Sequence, residues 1–110
     1  MKFMIMLFDD RSSVHSRSAE AIERMVSFTV RLDDELAQSG ELVYSEVLDD
    51  DGTLIAPYGS QSHGNGTPLS RYWVVKVAEK ARALEIARGL AEAVDAPIEV
   101  RRCLESSLRP

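Results

Sequence analysis

The sequence of 110 residues has one cysteine, two histidines and no excess of basic residues. The single Cys103 excludes an internal disulfide and a cysteine-based zinc site. No apolar run approaches the roughly 20 residues that a membrane span needs. The net charge is −5 with a pI near 5.0, which argues against nucleic acid or an anionic membrane surface as the main partner.

The N-terminal run "MKFMIMLF" is similar to part of a signal peptide, but it lacks a small-residue cleavage site. Asp9 and Asp10 follow it at once. We therefore interpret Lys2–Phe8 as the first strand of a cytoplasmic protein. Its two alternating sets of side chains are both apolar, which predicts a strand that is covered on both faces. The length and the apolar content of 45% predict one domain, residues 1–110.

The rest of the chain alternates between helix-like and strand-like segments. A polar connection, residues 9–17, precedes a helix that Ser16 or Ser18 can cap and that Gly40 can end. Apolar residues of that helix recur at spacings of three and four. The pattern further predicts strands at residues 42–48, 53–56, 72–77 and 98–104, a turn at 49–53, and a second helix at 79–94.

This order, β-α-β-β-β-α-β, is the α+β plan of a ferredoxin-like fold, an antiparallel sheet with helices on one face. The apolar pattern of the first strand leaves the other face in need of a cover. The same face of a second copy, related by a two-fold axis, supplies that cover most simply. The sequence therefore predicts a homodimer in which two sheets pack as a dimeric α+β barrel.

Four segments carry a resemblance to a known family: "MKFMIMLFDD", "LAQSGELVYSEVL", "RYWVVKVAEKARALEIARGL" and "APIEVRRC". Together they resemble the YCII-related proteins, in the branch named DGPF after a loop motif, over nearly the whole chain. The motif itself is degenerate. Where the family has Asp-Gly-Pro-Phe, this sequence has "PYGS" at residues 57–60 and keeps only Gly59.

The resemblance implies a fold and a class of ligand more than an activity. Some YCII-related proteins resemble small lyases or dehalogenases that pair a histidine on the first helix with an aspartate. Here the long first helix has no histidine, and His15 precedes it in the connection. What the resemblance implies is therefore limited to two points: a small organic ligand bound between sheet and helices, and proton transfer without a cofactor. The alternative is a non-catalytic homodimeric accessory protein that binds another protein.

The loop "YGSQSHGNGTPLS", residues 58–70, holds the residue best suited to acid–base chemistry, His63. Its glycines lack the spacing of a phosphate or dinucleotide loop, and a strand follows instead of a helix. We therefore expect no cofactor, and the spacing of the histidines does not favour a metal. Asp9 can converge with His63, because the end of the first strand and this loop can share a sheet edge. A solvated loop histidine is the alternative, and His15 is the weaker candidate.

A second candidate base is Glu46, which lies on the Tyr44 side of its strand. If that side is covered, Glu46 is a buried carboxylate and a catalytic candidate. The alternatives are an ion pair with Arg71 or Arg101, or plain exposure. The predicted binding residues are the following: Tyr44, Met25, Phe28, Tyr58 at the start of the loop, and Arg71 just after it.

Overall fold

The computed structural model describes residues 1–59, 61–63 and 66–104, without the side chains of residues 61–63. Two long helices, α2 and α3, and a short helix, α1, accompany six strands. In chain order the elements are β1 (Lys2–Phe8), α1 (Arg11–His15), α2 (Ala19–Ser39), β2 (Leu42–Val47), β3 (Thr53–Ile55), β4 (Gln61–His63), β5 (Leu69–Lys76), α3 (Lys80–Val94) and β6 (Ile98–Arg102).

The main sheet has four antiparallel strands in the order β2-β5-β1-β6. The two central strands are β5 and β1, and each helical connection joins strands that are not neighbours. This arrangement confirms the predicted α+β class with an antiparallel sheet, and it is compatible with the ferredoxin-like plan. The pairing of two such sheets into a barrel stays a prediction.

The connection at residues 9–17 contains a helix that the sequence analysis did not predict. Asp10 is its N-cap, and its Oδ1 atom accepts a hydrogen bond from the backbone N–H of Ser13 at 2.6 Å. Such a cap satisfies one of the N–H groups that a helix start leaves free. Helix α1 ends at His15, so a histidine does lie on the first helix of the chain.

The other difference concerns residues 58–70, predicted to be a loop. Gln61–His63 form strand β4, which pairs antiparallel with β3 in a separate two-stranded sheet. A turn, Pro57–Gly59, joins the two strands. Strand β5 also starts earlier than predicted, at Leu69 instead of residue 72.

The core lies between the main sheet and helices α2 and α3. It is formed by side chains that are almost entirely shielded from solvent, among them Phe3, Ile5, Leu7, Leu32, Leu36, Trp73, Val75, Ile86, Leu90 and Val94. Helix α3 contacts α2 closely at Gly89, where a Cβ atom would lie 3.3 Å from the ring of Phe28. Glycine in the middle of a helix costs about 1 kcal/mol relative to alanine, and here it makes room for that ring.

None of the described helices packs on the opposite face of the main sheet, and we call this face the open face. The strand registers place its side chains in two rows across the sheet. One row is Glu46, Tyr72, Met6 and Glu99, and the next is Tyr44, Val74, Met4 and Arg101. The middle of the open face is therefore apolar and aromatic, and charged groups lie toward its edges.

Candidate functional site

A cavity of about 250 Å³ lies where β1 ends and α1 begins, between helix α2 and the sheet. Its walls are mainly apolar, with a few charged and polar groups from different elements. The lining residues are Leu7, Asp9, Asp10, Arg11, Val14, His15, Met25, Thr29, Val47, Leu48, Asp50, Ser70 and Arg71. This combination of apolar walls and a few convergent polar groups is typical of small-molecule sites.

Asp9 is the buried acid of this cavity, with only 4% of its surface exposed. Its Oδ2 atom lies 2.9 Å from Nη1 of Arg17, and its Oδ1 atom accepts the backbone N–H of Asp10 at 3.0 Å. Arg17 also donates from Nη2 to the backbone oxygen of Asp95 at 3.3 Å. The ion pair therefore ties the end of β1 to the start of α2 and to the turn after α3.

Arg71 is held in place on the opposite wall by two neighbours. Its Nη2 atom lies 2.5 Å from Oδ2 of Asp33, and its guanidinium carbon lies 4.5 Å from the centre of the Trp73 ring. Asp33 Oδ1 in turn accepts a hydrogen bond from Nε1 of Trp73 at 2.7 Å. A guanidinium that is stacked and paired in this way keeps a fixed orientation, so its remaining N–H groups can bind an oxygen atom with little loss of entropy.

Helix α1 brings His15 to the cavity. Two acidic residues fix this helix through backbone groups: Asp10 caps it, and Asp50 Oδ2 accepts the N–H of Arg11 at 2.8 Å. Both carboxylates are therefore already engaged in hydrogen bonds. Among the described lining residues, His15 is the only imidazole, the type of side chain that most often serves as a general acid or base.

The predicted site residues do not all meet in this cavity. Asp9, Met25 and Arg71 line it, as expected for a pocket between sheet and helices. Phe28 lies one helix turn away and packs against Gly89 in the α2–α3 contact. Tyr58 is fully exposed in the turn between β3 and β4. The side chain of His63 lies outside the described part of the chain, so its convergence with Asp9 stays a prediction.

Glu46 and Tyr44 lie on the open face, away from the cavity and the helices. The strand register shifts between Leu42 and Tyr44, so that Leu42 faces the core while Tyr44 and Glu46 point to the open face. Simple alternation along the sequence cannot anticipate such a bulge. Glu46 is exposed and accepts a short hydrogen bond from the hydroxyl of Tyr44. It therefore cannot act as a base inside this cavity.

The contact between Tyr44 and Glu46 can be tested by titration. The hydrogen bond to the Glu46 carboxylate, together with its charge, raises the pKa of Tyr44 to about 12. Because the raised value favours the protonated phenol, the stabilisation is complete below pH 10 and is lost as the pH rises through about 12. We expect one of the three tyrosines to ionise late in an ultraviolet titration. Glu46→Gln should return it to its ordinary range, whereas Glu99→Gln should leave the curve unchanged.

Comparison with solved structures finds a chain that has the same fold. It is the 5-chloro-2-hydroxyhydroquinone dehydrochlorinase of Burkholderia phenoliruptrix AC1100, in complex with 2,5-dihydroxybenzoquinone. The TM-score is 0.50 at 11% sequence identity, and the match covers 97% of each chain. No protein-family model matches the sequence, and no curated protein matches it. At this identity the likeness shows a shared fold.

No helix within residues 1–59, 61–63 and 66–104 is long and apolar enough to cross a membrane. No group of three or more histidine, cysteine, aspartate or glutamate side chains in the same ranges is arranged to hold a metal ion.

The sequence analysis missed two residues that shape this site, Arg17 and Asp33. Each pairs with a residue far away in the sequence or in another element, so no local motif marks it. The one signal that was present is the Asp10–Ser13 spacing, a helix N-cap pattern that would have placed His15 on a helix.

Proposed function

We propose that the chain binds a small cyclic organic molecule in the cavity at the end of β1 and transfers a proton on it without a cofactor. The observation that carries the proposal is the composition of the cavity. Apolar walls there meet a histidine, a fixed arginine and a buried ion pair. Such sets of groups support general acid–base chemistry on a molecule that the walls hold in place.

The size of the cavity suits a single substituted ring. An apolar cavity of about 150 Å³ is enough to hold benzene. The volume of about 250 Å³ leaves room for one ring with a few oxygen substituents. Leu7, Val14 and Met25 supply apolar contacts to such a ring, and Ser70 offers a hydroxyl.

The proposed chemistry is removal of a proton from a ring carbon next to a carbonyl group. His15 takes the proton, and the electron pair of the C–H bond moves toward the carbonyl oxygen. Arg71 faces the negative charge that develops on that oxygen, where a fixed cation contributes most to the rate. The proton is then returned at another position, or the charge expels a leaving group.

The fold likeness supports this proposal, because the protein with the shared fold is a dehydrochlorinase bound to a dihydroxybenzoquinone. The resemblance of the sequence to the YCII-related proteins of the DGPF branch points to the same class of ligand. The homodimer is part of the proposal, since the open face needs a cover. The chain departs from the DGPF motif at residues 57–60, and the described residues among them, 57–59, do not line the cavity.

Binding of 2,5-dihydroxybenzoquinone tests the ligand class. We expect the bound molecule to quench the fluorescence of Trp73, the single tryptophan. Arg71 stacks on the Trp73 ring, so a molecule bound at Arg71 lies close to that ring. Arg71→Met should weaken binding at least tenfold, since a charge-assisted contact is lost. Arg101→Met is the matched control. Because Arg101 lies on the open face, this variant should bind 2,5-dihydroxybenzoquinone with unchanged affinity. An intact fold without binding at millimolar ligand would contradict the proposed ligand class.

Hydrogen exchange of the bound molecule tests the base. In D₂O a deuteron adds to a ring CH carbon of the enol, which makes that carbon sp³ and places its C–H bond next to a carbonyl group. We expect the protein to accelerate removal of the original proton from this carbon, which NMR follows as loss of the ring-proton signal of 2,5-dihydroxybenzoquinone. His15→Gln should lower the exchange rate by about 10² to 10⁴, the usual contribution of general acid–base catalysis, with little effect on affinity. Equal exchange rates for the two proteins would exclude His15 as the base.

The second candidate function, a non-catalytic homodimer that binds another protein, is favoured by one observation. Val26 and Val30 are more than half exposed and lie one turn apart on the outer side of α2. Exposed apolar pairs of this kind suit the surface of a partner protein. A protein that shows neither ligand binding nor proton exchange would favour this second function.

A further inference from the structure

We infer that the β3–β4 hairpin is an arm that packs against a second copy of the chain, at the border of that copy's open face. The arm consists of β3 (Thr53–Ile55), the turn Pro57–Gly59 and the backbone of β4 (Gln61–His63). The inference rests on the proposed homodimer and adds the element that holds its two copies together.

The arm stands apart from the body of its own chain. Strands β3 and β4 pair with each other in a sheet of their own, and within the described residues neither packs substantially on a helix or on the main sheet. The chain is only 18 Å thick along its shortest axis, which accommodates one sheet layer and one helix layer. An isolated two-stranded hairpin is at best marginally stable in water. The arm therefore needs a partner surface.

The side chains of the arm are those of a contact surface. Leu54 and Ile55 are 49% and 68% exposed, and because they are consecutive in a strand they point to opposite sides of the hairpin. The ring of Tyr58 is fully exposed. Its backbone has a φ of 74°, a left-handed conformation that costs a non-glycine residue about 1 kcal/mol or more. A strained turn that presents a tyrosine ring to solvent is best explained by a contact of that ring.

The area required for a stable dimer favours a second copy as the occupant. Four strands about 4.8 Å apart and about 20 Å long give the open face a flat area on the order of 400 Å². A stable interface buries about 800 Å² on each partner. A tyrosine ring contributes about 200 Å² when it is buried, and the two aliphatic side chains add to it. The open face and the arm together therefore reach the area that neither reaches alone.

Charge also favours a second copy. The chain as a whole carries −5, so two copies repel each other at long range. The open face does not share this acidic excess, because Lys2, Lys76 and Arg101 lie on it with Glu46 and Glu99. In a two-fold arrangement each copy supplies one arm and one open face. The same contact is therefore made twice, and it covers both arms and both open faces.

Sedimentation equilibrium of arm variants tests the inference. The arm variant carries Leu54→Ser, Ile55→Ser and Tyr58→Asn, and asparagine keeps the left-handed turn accessible. We expect its dimer dissociation constant to rise at least 100-fold, with a circular dichroism spectrum that matches the native chain. The control variant, Val26→Ser with Val30→Ser, removes exposed apolar groups from α2 and should leave the dissociation constant unchanged.

The outcomes separate this inference from the homodimer itself. A native chain that is still monomeric at about 100 µM, a concentration at which even a weak dimer forms, would overturn both the homodimer and the arm contact. A native dimer whose dissociation constant is the same in the arm variant would overturn the arm contact alone. If the triple substitution disturbs the fold, Tyr58→Asn alone decides, because its fully exposed ring adds nothing to the stability of the single chain. A rise of tenfold or more for that variant supports the contact, and an unchanged constant overturns it.

Discussion

Replacing Trp73 with lysine is expected to unfold the chain, whereas the same replacement at its neighbour Tyr72 is expected to leave the fold intact. Trp73 is fully buried between the sheet and the helices, and its indole N–H binds Asp33. Truncating a buried tryptophan costs about 3–5 kcal/mol, and an unpaired ammonium adds several more. The summed cost approaches the free energy of unfolding of an ordinary domain, about 5–15 kcal/mol.

Tyr72 is the matched position because it lies next in the same strand but on the open face. A lysine there meets solvent in the single chain, so the circular dichroism spectrum and thermal transition should stay close to those of the native protein. In the proposed dimer the same lysine enters the interface, and sedimentation should show monomers. A melting temperature for Trp73→Lys within a few degrees of the native value would remove Trp73 from the core.

The regular elements of the fold could be predicted from local pattern. Helices α2 and α3 repeat their apolar residues with a helical period, and β1 is apolar on both sides. These patterns fix which face of each element is buried, and the order of the elements then limits the topology to few choices. The predicted strand β1 and the Gly40 cap agree with the structure to the residue.

The irregular elements could not be predicted in the same way. The register shift in β2 depends on how Val43 fits beside β5, which is a property of two strands and not of one. It reverses the face of Tyr44 and Glu46, and with it the predicted role of Glu46. The arm likewise depends on pairing between Thr53 and His63, ten positions apart across a segment with a single glycine.

The candidate site, too, could be predicted from the sequence only in part. Asp9 was predicted because the end of the first strand and the loop that holds His63 can share a sheet edge, and Asp9 does line the cavity. Its partner Arg17 has no sequence signature, since only the fold of α1 brings the two side chains together. The sequence thus indicates one end of the proposed site, while the tertiary contacts determine which groups surround it.

The ion pair between Asp9 and Arg17 should be a major determinant of both stability and site geometry. Both side chains are largely shielded, with 6% and 16% of their surface exposed. Breaking a buried pair by removing one partner costs about 3–5 kcal/mol, because the other charge remains buried without compensation. We therefore expect Arg17→Met to lower the free energy of unfolding by about that amount in urea titrations. Arg101→Met, which breaks the exposed pair with Glu99, should change it by about 0.5 kcal/mol or less.

A double-mutant cycle distinguishes the charge from the packing. Asp9→Asn combined with Arg17→Met removes both charges and keeps similar volumes, so most of the lost stability should return. Restored stability would come without restored function, because α1 lies between Asp9 and Arg17 in the chain and loses the ion pair that joins its two ends, although the Asp10 and Asp50 contacts remain. Proton exchange on 2,5-dihydroxybenzoquinone should therefore stay slow in the stable double variant. If the two stability losses simply add, or if the double variant exchanges protons at the native rate, the pair is not what positions His15.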